Sequence, residues 1–383
     1  MSQTPPLSSA AVGGAGPERS SAPPRQSTGR PSGQSASGRP AWRRSGRSAA
    51  RAGENRVGWL FAAPAVAVMV IFILVPVGMA LWVSFLEWNG QSSPFTGNYT
   101  FVGFDNYTRL LTTEGLLQRD FMTSVRNTMY YVLLWVPLVT VLSFGLALVV
   151  NQRVLKGRSF FRTVFYFPSV TSSVAISITF LFLFQGSGVV NTILGWFGVD
   201  GPQWFTDSRG LIHLLFSALG MDSPPGFLKD NSLGGLSLWD WLSGPSVAMC
   251  TIIALTVWTT SGMFMLFFLA GLQNIPVEIE EAAEVDGATP WQRFRSVTLP
   301  LMRRSITLVV TLALIGSWQV FDQVYIMSQG SPAKTTLTPA YLSYTRSFGD
   351  GQFGVGAAVA FVLFAIIVVL TVIQRWFSRE RDA

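Results

Sequence analysis

The chain has 383 residues, 49% of them hydrophobic and only 12% charged, with a formal charge of +7. Soluble domains carry roughly 25% charged residues, so half that share over so long a chain excludes an ordinary soluble fold. One cysteine (Cys250) excludes an internal disulfide, one histidine (His213) without a Cys/His cluster excludes a structural zinc or other metal site, and basic residues confined to a tail and short loops exclude a nucleic-acid-binding surface.

Residues 1–56 are rich in Ser, Gly, Pro and Arg and nearly free of large apolar side chains. Such a stretch buries too little surface to offset its chain entropy and is predicted to be disordered. It is too long and too polar for a cleavable signal peptide, and its nine arginines are expected to hold it in the cytoplasm. A membrane domain then spans 57–376, and 377–383 form a short cytoplasmic end.

Six apolar runs follow the tail, at 58–85, 129–150, 164–184, 247–271, 305–321 and 354–376. The fifth is short and is expected to continue to Ile326. At about 1.5 Å per residue each run can cross a ~30 Å hydrocarbon core, some with tilt. Arg375, next to the inner end of the last run, is the one residue among Asp, Glu, Lys, Arg and His that falls inside them. Unbroken runs, rather than alternating ten-residue segments, select helices over a barrel. The predicted fold is therefore all-α and integral to the membrane, with six transmembrane helices.

The loops orient the chain. With the N-terminus inside, the tail holds nine Lys and Arg, 151–163 four, 272–304 four and the C-terminal end three, which is 20 of the 27. That imbalance obeys the positive-inside rule and predicts both termini in the cytoplasm. The longest outside loop, about 185–246, contains the apolar stretch Leu211–Leu219, expected to be a short interfacial helix with His213 facing solvent. Cys250 is expected to pack as a small buried apolar side chain.

The most informative segment is the inside loop 274–300, which reads as two short helices and a turn. Pro276 suits a first helical position, and Glu278, Glu280 and Glu281 complement the positive end of a helix dipole. Gly287 is a natural stop. Thr289, Pro290 and Gln292 form a capping box that starts the second helix, whose apolar stripe is Trp291, Phe294 and Val297. Leu299-Pro300 is expected to end it. Ala282 and Ala283 let another surface approach closely, while Glu281 and Asp286 can engage basic groups. Physics alone leaves two readings open: a knob for a partner protein, or a hairpin packed on its own membrane domain.

The pattern Glu281-Ala282-Ala283-x-x-Asp286-Gly287-Ala288, followed by Phe294-x-x-Val297-x-Leu299-Pro300, resembles the coupling motif of binding-protein-dependent ABC importer permeases. Val297 stands where isoleucine is usual. Further stretches are similar to the sugar-transporting branch, that of the maltose and glycerol-3-phosphate permeases: Phe101-Val-Gly-Phe-Asp-Asn-Tyr107, Lys156-Gly-Arg-Ser-Phe-Phe-Arg162, Leu269-Ala-Gly-Leu-Gln-Asn-Ile-Pro276 and Trp318-x-x-Phe321-Asp322. The resemblance covers about 57–376 and omits much of 207–241, which looks like an insertion. It implies that the hairpin docks on a cytoplasmic ATPase dimer, that a second permease subunit, identical or homologous, completes the pathway, and that an external solute-binding protein delivers the cargo. It implies alternating access in the cell membrane.

No nucleotide loop of the form G-x-x-x-x-G-K-[ST] surrounds any of the three lysines, Lys156, Lys229 and Lys334. The chain is thus expected to bind no cofactor and to perform no catalysis, with ATP held by its partner. Cargo contacts are sought near mid-membrane. Candidates are Thr256, Trp258, Thr259 and Thr260 on the fourth run and Ser317, Trp318 and Gln319 on the fifth. In the resemblance only Trp258 matches a sugar-contacting position residue for residue. Each candidate has a structural alternative, since Ser and Thr join spanning helices and Trp anchors at interfaces. Gly262, Gly271, Gly354 and Gly356 read as close-packing positions. Two rival functions stand beside the sugar or polyol importer: an ABC permease for another solute, and an ion-coupled secondary carrier. Spans with no ionisable group except Arg375 at the inner end of the last disfavour the carrier.

Overall fold

The computed structural model describes residues 58–97, 99–152, 156–219 and 226–379. The tail 1–56, residues 153–155, the segment 220–225 of the expected insertion and the last four residues of the C-terminal end lie outside the described residues. The chain divides into two compact units, 1–67 and 68–383. In the first, the described residues 58–67 are helical and exposed. They begin helix α1, Gly58–Ser84, whose apolar stretch has none of its residues buried. Pro76 has no N–H to donate, and the helix accommodates it by widening into a π turn at Val70–Leu74.

Two-residue strands β1 (Leu86–Glu87) and β2 (Thr100–Phe101) pair antiparallel, as do β3 (Ser232–Leu233) and β4 (Leu236–Ser237). These small ladders are an addition to the all-α expectation. Helix α2, Asp105–Leu111, leads into α3, Leu116–Asn151. At 36 residues, α3 starts well before the apolar run 129–150. Its buried residues explain why: Phe121, Ser124, Thr128, Tyr131, Trp135, Val139, Ser143, Ala147 and Val150 recur every three or four positions. That stripe continues through polar residues that a hydropathy count discards.

The third run is broken rather than continuous. Helix α4, Arg158–Val170, and helix α5, Ser173–Leu183, meet at 92°. Pro168 lies near the end of α4, and Thr171 and Ser172 between the helices are extended, with ψ of 150° and 123°. Alone, the 11 residues of α5 span about 16 Å, too little to cross. Helices α6 (Val189–Trp196), α7 (Leu211–Ala218), α8 (Gly226–Asp230) and α9 (Leu238–Trp241) follow. The short helix expected near Leu211 is α7. His213 is a correction to the expectation: it is half-buried and stacks on Trp239 at 4.4 Å, because α9 folds back over α7.

Helix α10, Val247–Gln273, is capped by the Ser246 hydroxyl, which accepts from the Met249 N–H. Cys250 is half-buried rather than buried. Helix α11 is Val277–Val285 and α12 is Pro290–Leu301, which bends by 65° into α13, Arg303–Trp318. Leu299-Pro300 therefore lies in the last turn of the second hairpin helix, one residue before its end at Leu301, and the bend falls at buried Met302. The fifth run does not continue unbroken to Ile326. After Trp318 the chain leaves the helix, and the Val320 carbonyl accepts from the Thr338 hydroxyl before a separate turn at Val324–Ser328. Helix α14, Pro339–Tyr344, and α15, Phe353–Arg379, complete the chain. By length and composition four helices can cross a membrane singly, and up to six crossings result if each bent pair counts as one.

Helix α10 is the centre. Met249, Ile252, Met265 and Phe268 on it are completely buried, and it packs along α3. A second, smaller core of Leu110, Phe121, Leu337, Leu342 and Val359 joins α2, α3, α14 and α15. In lipid, packing and interhelical hydrogen bonds hold helices together, since tails are as apolar as leucine. The Tyr131 hydroxyl accordingly donates to Thr256 Oγ1 at 2.9 Å between α3 and α10. Gly262 is where α10 meets α4: any side chain there would collide with the Phe165 carbonyl.

Candidate functional site

Two adjoining cavities lie along α10 and the end of α13. One, of about 300 Å³, is lined by Tyr131, Trp135, Thr256, Thr260, Phe264, Gln319, Phe321 and Gln323 among others. The other, of about 200 Å³, opens on the break between α4 and α5 and is lined by Ser169, Thr171, Ser173, Ser177, Thr259, Thr260 and Gln323. Thr260 and Gln323 face both. Gln323 Nε2 donates to Ser173 Oγ at 3.1 Å, forming part of the wall between them.

The lining is mostly neutral: hydroxyls, carboxamides and aromatic faces. Asp322, also on the larger cavity, is exposed. Trp135 Nε1 and Ser177 Oγ are buried without a hydrogen-bond partner among the described residues. Buried donors in that state carry a cost of about 1–3 kcal/mol unless something bonds to them. A neutral solute rich in hydroxyls suits such a surface, because it offers both donors and acceptors and needs no counter-charge.

Of the candidates drawn from the sequence, Thr256, Thr259, Thr260 and Gln319 line these cavities. Thr256 is buried and its hydroxyl also donates to the Ile252 and Ile253 carbonyls, so it serves packing as well. Trp258 lines neither cavity; it is 47% exposed and lies 5.7 Å from the Phe180 ring. Ser317 is buried and donates to the Leu314 carbonyl. Trp318 is buried outside both linings, its Nε1 without a partner among the described residues. Sequence reasoning missed the hydroxyls of 169–177, Tyr131 and Gln323. The available signal was Pro168 beside a run of Ser and Thr inside an apolar segment, the mark of a discontinuous helix.

The hairpin is at the far end of α3 from the Asp120 cluster described next. Phe294 packs on Phe144 with centroids 6.0 Å apart. Asp120 lies 24 residues earlier on α3, about 36 Å along the axis. Its carboxylate accepts from Lys334 Nζ at 2.6 Å and Arg346 Nη2 at 2.9 Å. Asn127 Nδ2 donates to the Lys334 and Leu337 carbonyls, so the loop before α14 is tied to that end of α3.

Within the hairpin, Gly287 has φ of +77°, the left-handed stop that turns α11 toward α12. The Thr289 and Gln292 capping box is formed on both sides. Arg293 Nη1 and Glu284 Oε2, 3.0 Å apart, join the two helices. Pro276 is the cap rather than the first helical residue. Glu281, Ala282, Asp286, Leu299 and Pro300 are exposed, and Ala283 and Phe294 are half-buried. Val285 is 88% exposed and Trp291 67%. The second helix thus meets the bundle through Phe294, and neither hairpin helix has a fully buried residue.

Residues 128–382 match the family described as binding-protein-dependent transport system inner membrane component. The chain belongs to this family. It is a multi-pass inner-membrane permease, a transport component without an ATPase domain of its own. The permease is 31% identical over 327 residues to the lactose transport system permease protein of Rhizobium radiobacter, covering 85% of this chain and 94% of the relative. It is 28% identical to the trehalose/maltose transport system permease protein of Thermococcus litoralis, over 86% of this chain and 95% of that one. A crystal structure of a bacterial ABC transporter that imports the acidic polysaccharide alginate shares the fold, with a TM-score of 0.65 at 21% identity over 87% of the permease and 99% of that chain.

Proposed function

We propose that this permease is the channel-forming subunit of an ATP-driven importer for a sugar or related polyol, working by alternating access. Six spans carry the chain through the membrane with both termini in the cytoplasm, the broken pairs α4/α5 and α12/α13 each counting once. The loop charges support that orientation, with 20 of the 27 Lys and Arg on the inner side. A cytoplasmic ATPase dimer engages the hairpin 274–300, a second permease subunit closes the pathway, and a binding protein delivers solute from outside.

The observation that carries this reading is the hairpin itself: internally capped, fixed to the bundle through Phe294, yet presenting Glu281, Ala282, Val285 and Trp291 outward. Exposed apolar residues beside charged ones suit a protein surface. Closure of the ATPases then swings the pair of hairpins, and a 65° bend at Met302 passes the motion to α13, which ends at Trp318, just before Gln319 of the cavity wall. The relatives named for lactose and for trehalose and maltose support the cargo class. Glu281→Lys reverses a charge on the docking face, and Gly287→Leu strains a left-handed position. Both are expected to abolish ATPase co-purification and uptake of labelled lactose, trehalose or maltose. Retention of both by both variants removes the coupling role.

A further inference from the structure

Away from the central cavities, the β1–β2 hairpin, α2 and the start of α15 enclose a pocket of about 580 Å³. Trp88, Tyr99, Glu87, Asn89, Arg109 and Gln352 contribute to its walls. Aromatic planes beside carboxylate, carboxamide and guanidinium groups are the chemistry that holds a sugar ring, an apolar C–H face against the plane and hydroxyls to the polar rim. An unbroken series of ring contacts leads from this pocket to the larger central cavity. Trp88 meets Phe353 at 5.3 Å, Phe353 meets Phe348 at 5.3 Å, and Phe348 meets Tyr344 at 5.2 Å. Tyr344 meets Tyr325 at 5.2 Å, and Tyr325 stacks on Phe321 at 5.5 Å. Phe321 lines the cavity beside Gln319 and Thr260.

We infer that this ladder, from Trp88 to Phe321, is an entry track on which a carbohydrate passes from the outer pocket to the central cavity. The inference rests on the reading of the permease as a sugar importer. None of the six rings is buried: Phe348 is 69% exposed, Tyr325 39%, and the others are half-buried. Their faces are open to a solute, unlike the completely enclosed rings of Phe121 and Phe268. The steps are nearly equal, so a bound ring released by one rung is already beside the next. Two of the rungs are tyrosines, which add a hydroxyl to each plane. The occupant is a neutral mono- or oligosaccharide, since the rungs carry no charge.

The test uses the complete importer, purified with its own partner subunits and binding protein and reconstituted in liposomes, with labelled lactose, trehalose and maltose as probes. Phe348 is the decisive rung because so exposed a ring adds little to stability. Phe348→Leu is expected to lower uptake at least about fivefold, the loss of one aromatic contact, while solute-free ATPase activity and thermal unfolding stay as in the wild type. Phe348→Tyr is expected to retain uptake, because it keeps the plane. Equal uptake by wild type and Phe348→Leu overturns the track, and so does equal loss in the Leu and Tyr variants. As a second measurement, Phe348→Cys in a Cys250→Ala background is expected to react with a membrane-impermeant maleimide, and the transported sugar is expected to slow that reaction. A thiol sealed off by lipid or by the second permease overturns the proposal. If the wild type takes up none of the three sugars, the importer reading itself fails, separately from any result on the ladder.

Discussion

Helices α1 and α10 are both apolar enough to cross a membrane, yet they occupy opposite environments. The apolar stretch of α1 has a mean hydropathy of 2.7 and no buried residue, whereas that of α10 has 1.9 and 56% of its residues buried. The less hydrophobic helix is the more enclosed. In water that order would be inverted, but lipid gives no reward for hiding leucine from leucine. What draws α10 inward is small and polar: Gly262 against α4, and Thr256 bonded to Tyr131 of α3. Helix α1 has Gly78 with open space beyond it.

The contrast breaks most sharply at the two glycines. Gly262→Leu drives a side chain into the backbone of α4 and is expected to cost about 3 kcal/mol or to prevent folding. Gly78→Leu enters open space and is expected to change stability by less than about 0.5 kcal/mol. Thermal unfolding of the purified protein in detergent measures both, and equal effects would end the distinction. Next in size is Thr256→Val, which preserves shape but leaves the buried Tyr131 hydroxyl without its partner. A loss of about 1 kcal/mol is expected even though the substitution makes the span more apolar. Smallest is Phe72→Ala in α1, a ring 72% exposed, for which a change under about 0.5 kcal/mol is expected in the same assay. A large loss there would mean that α1 packs on a partner subunit.

The same physics separates what was legible from what was not. The hairpin was readable nearly residue by residue because caps and stops are local: Thr289 meets Gln292 three positions on, and Gly287 turns on its own φ. Its end was readable too, since the helix stops at Leu301, one residue past Leu299-Pro300, with the bend at Met302. Of the proposed cargo positions, Thr256, Thr259, Thr260 and Gln319 share the cavities, while Trp258, Ser317 and Trp318 face elsewhere. Knowing that a helix exists does not reveal its rotation. In a helix as uniformly apolar as α10, no polar face marks the side turned to a cavity.

The amino-acid order by itself determined the membrane class, the apolar runs, the capped hairpin and the family resemblance, because each depends on residues near one another in the chain. Only the tertiary structure decided that the third run breaks at 92°, that Gln323 reaches Ser173, and that rings from Trp88 to Phe321 form one series. Those features join residues as far as 265 positions apart in sequence, as Trp88 and Phe353 are. Their proximity follows from how helices pack, and helix packing in lipid is governed by shape and a few polar contacts rather than by hydropathy.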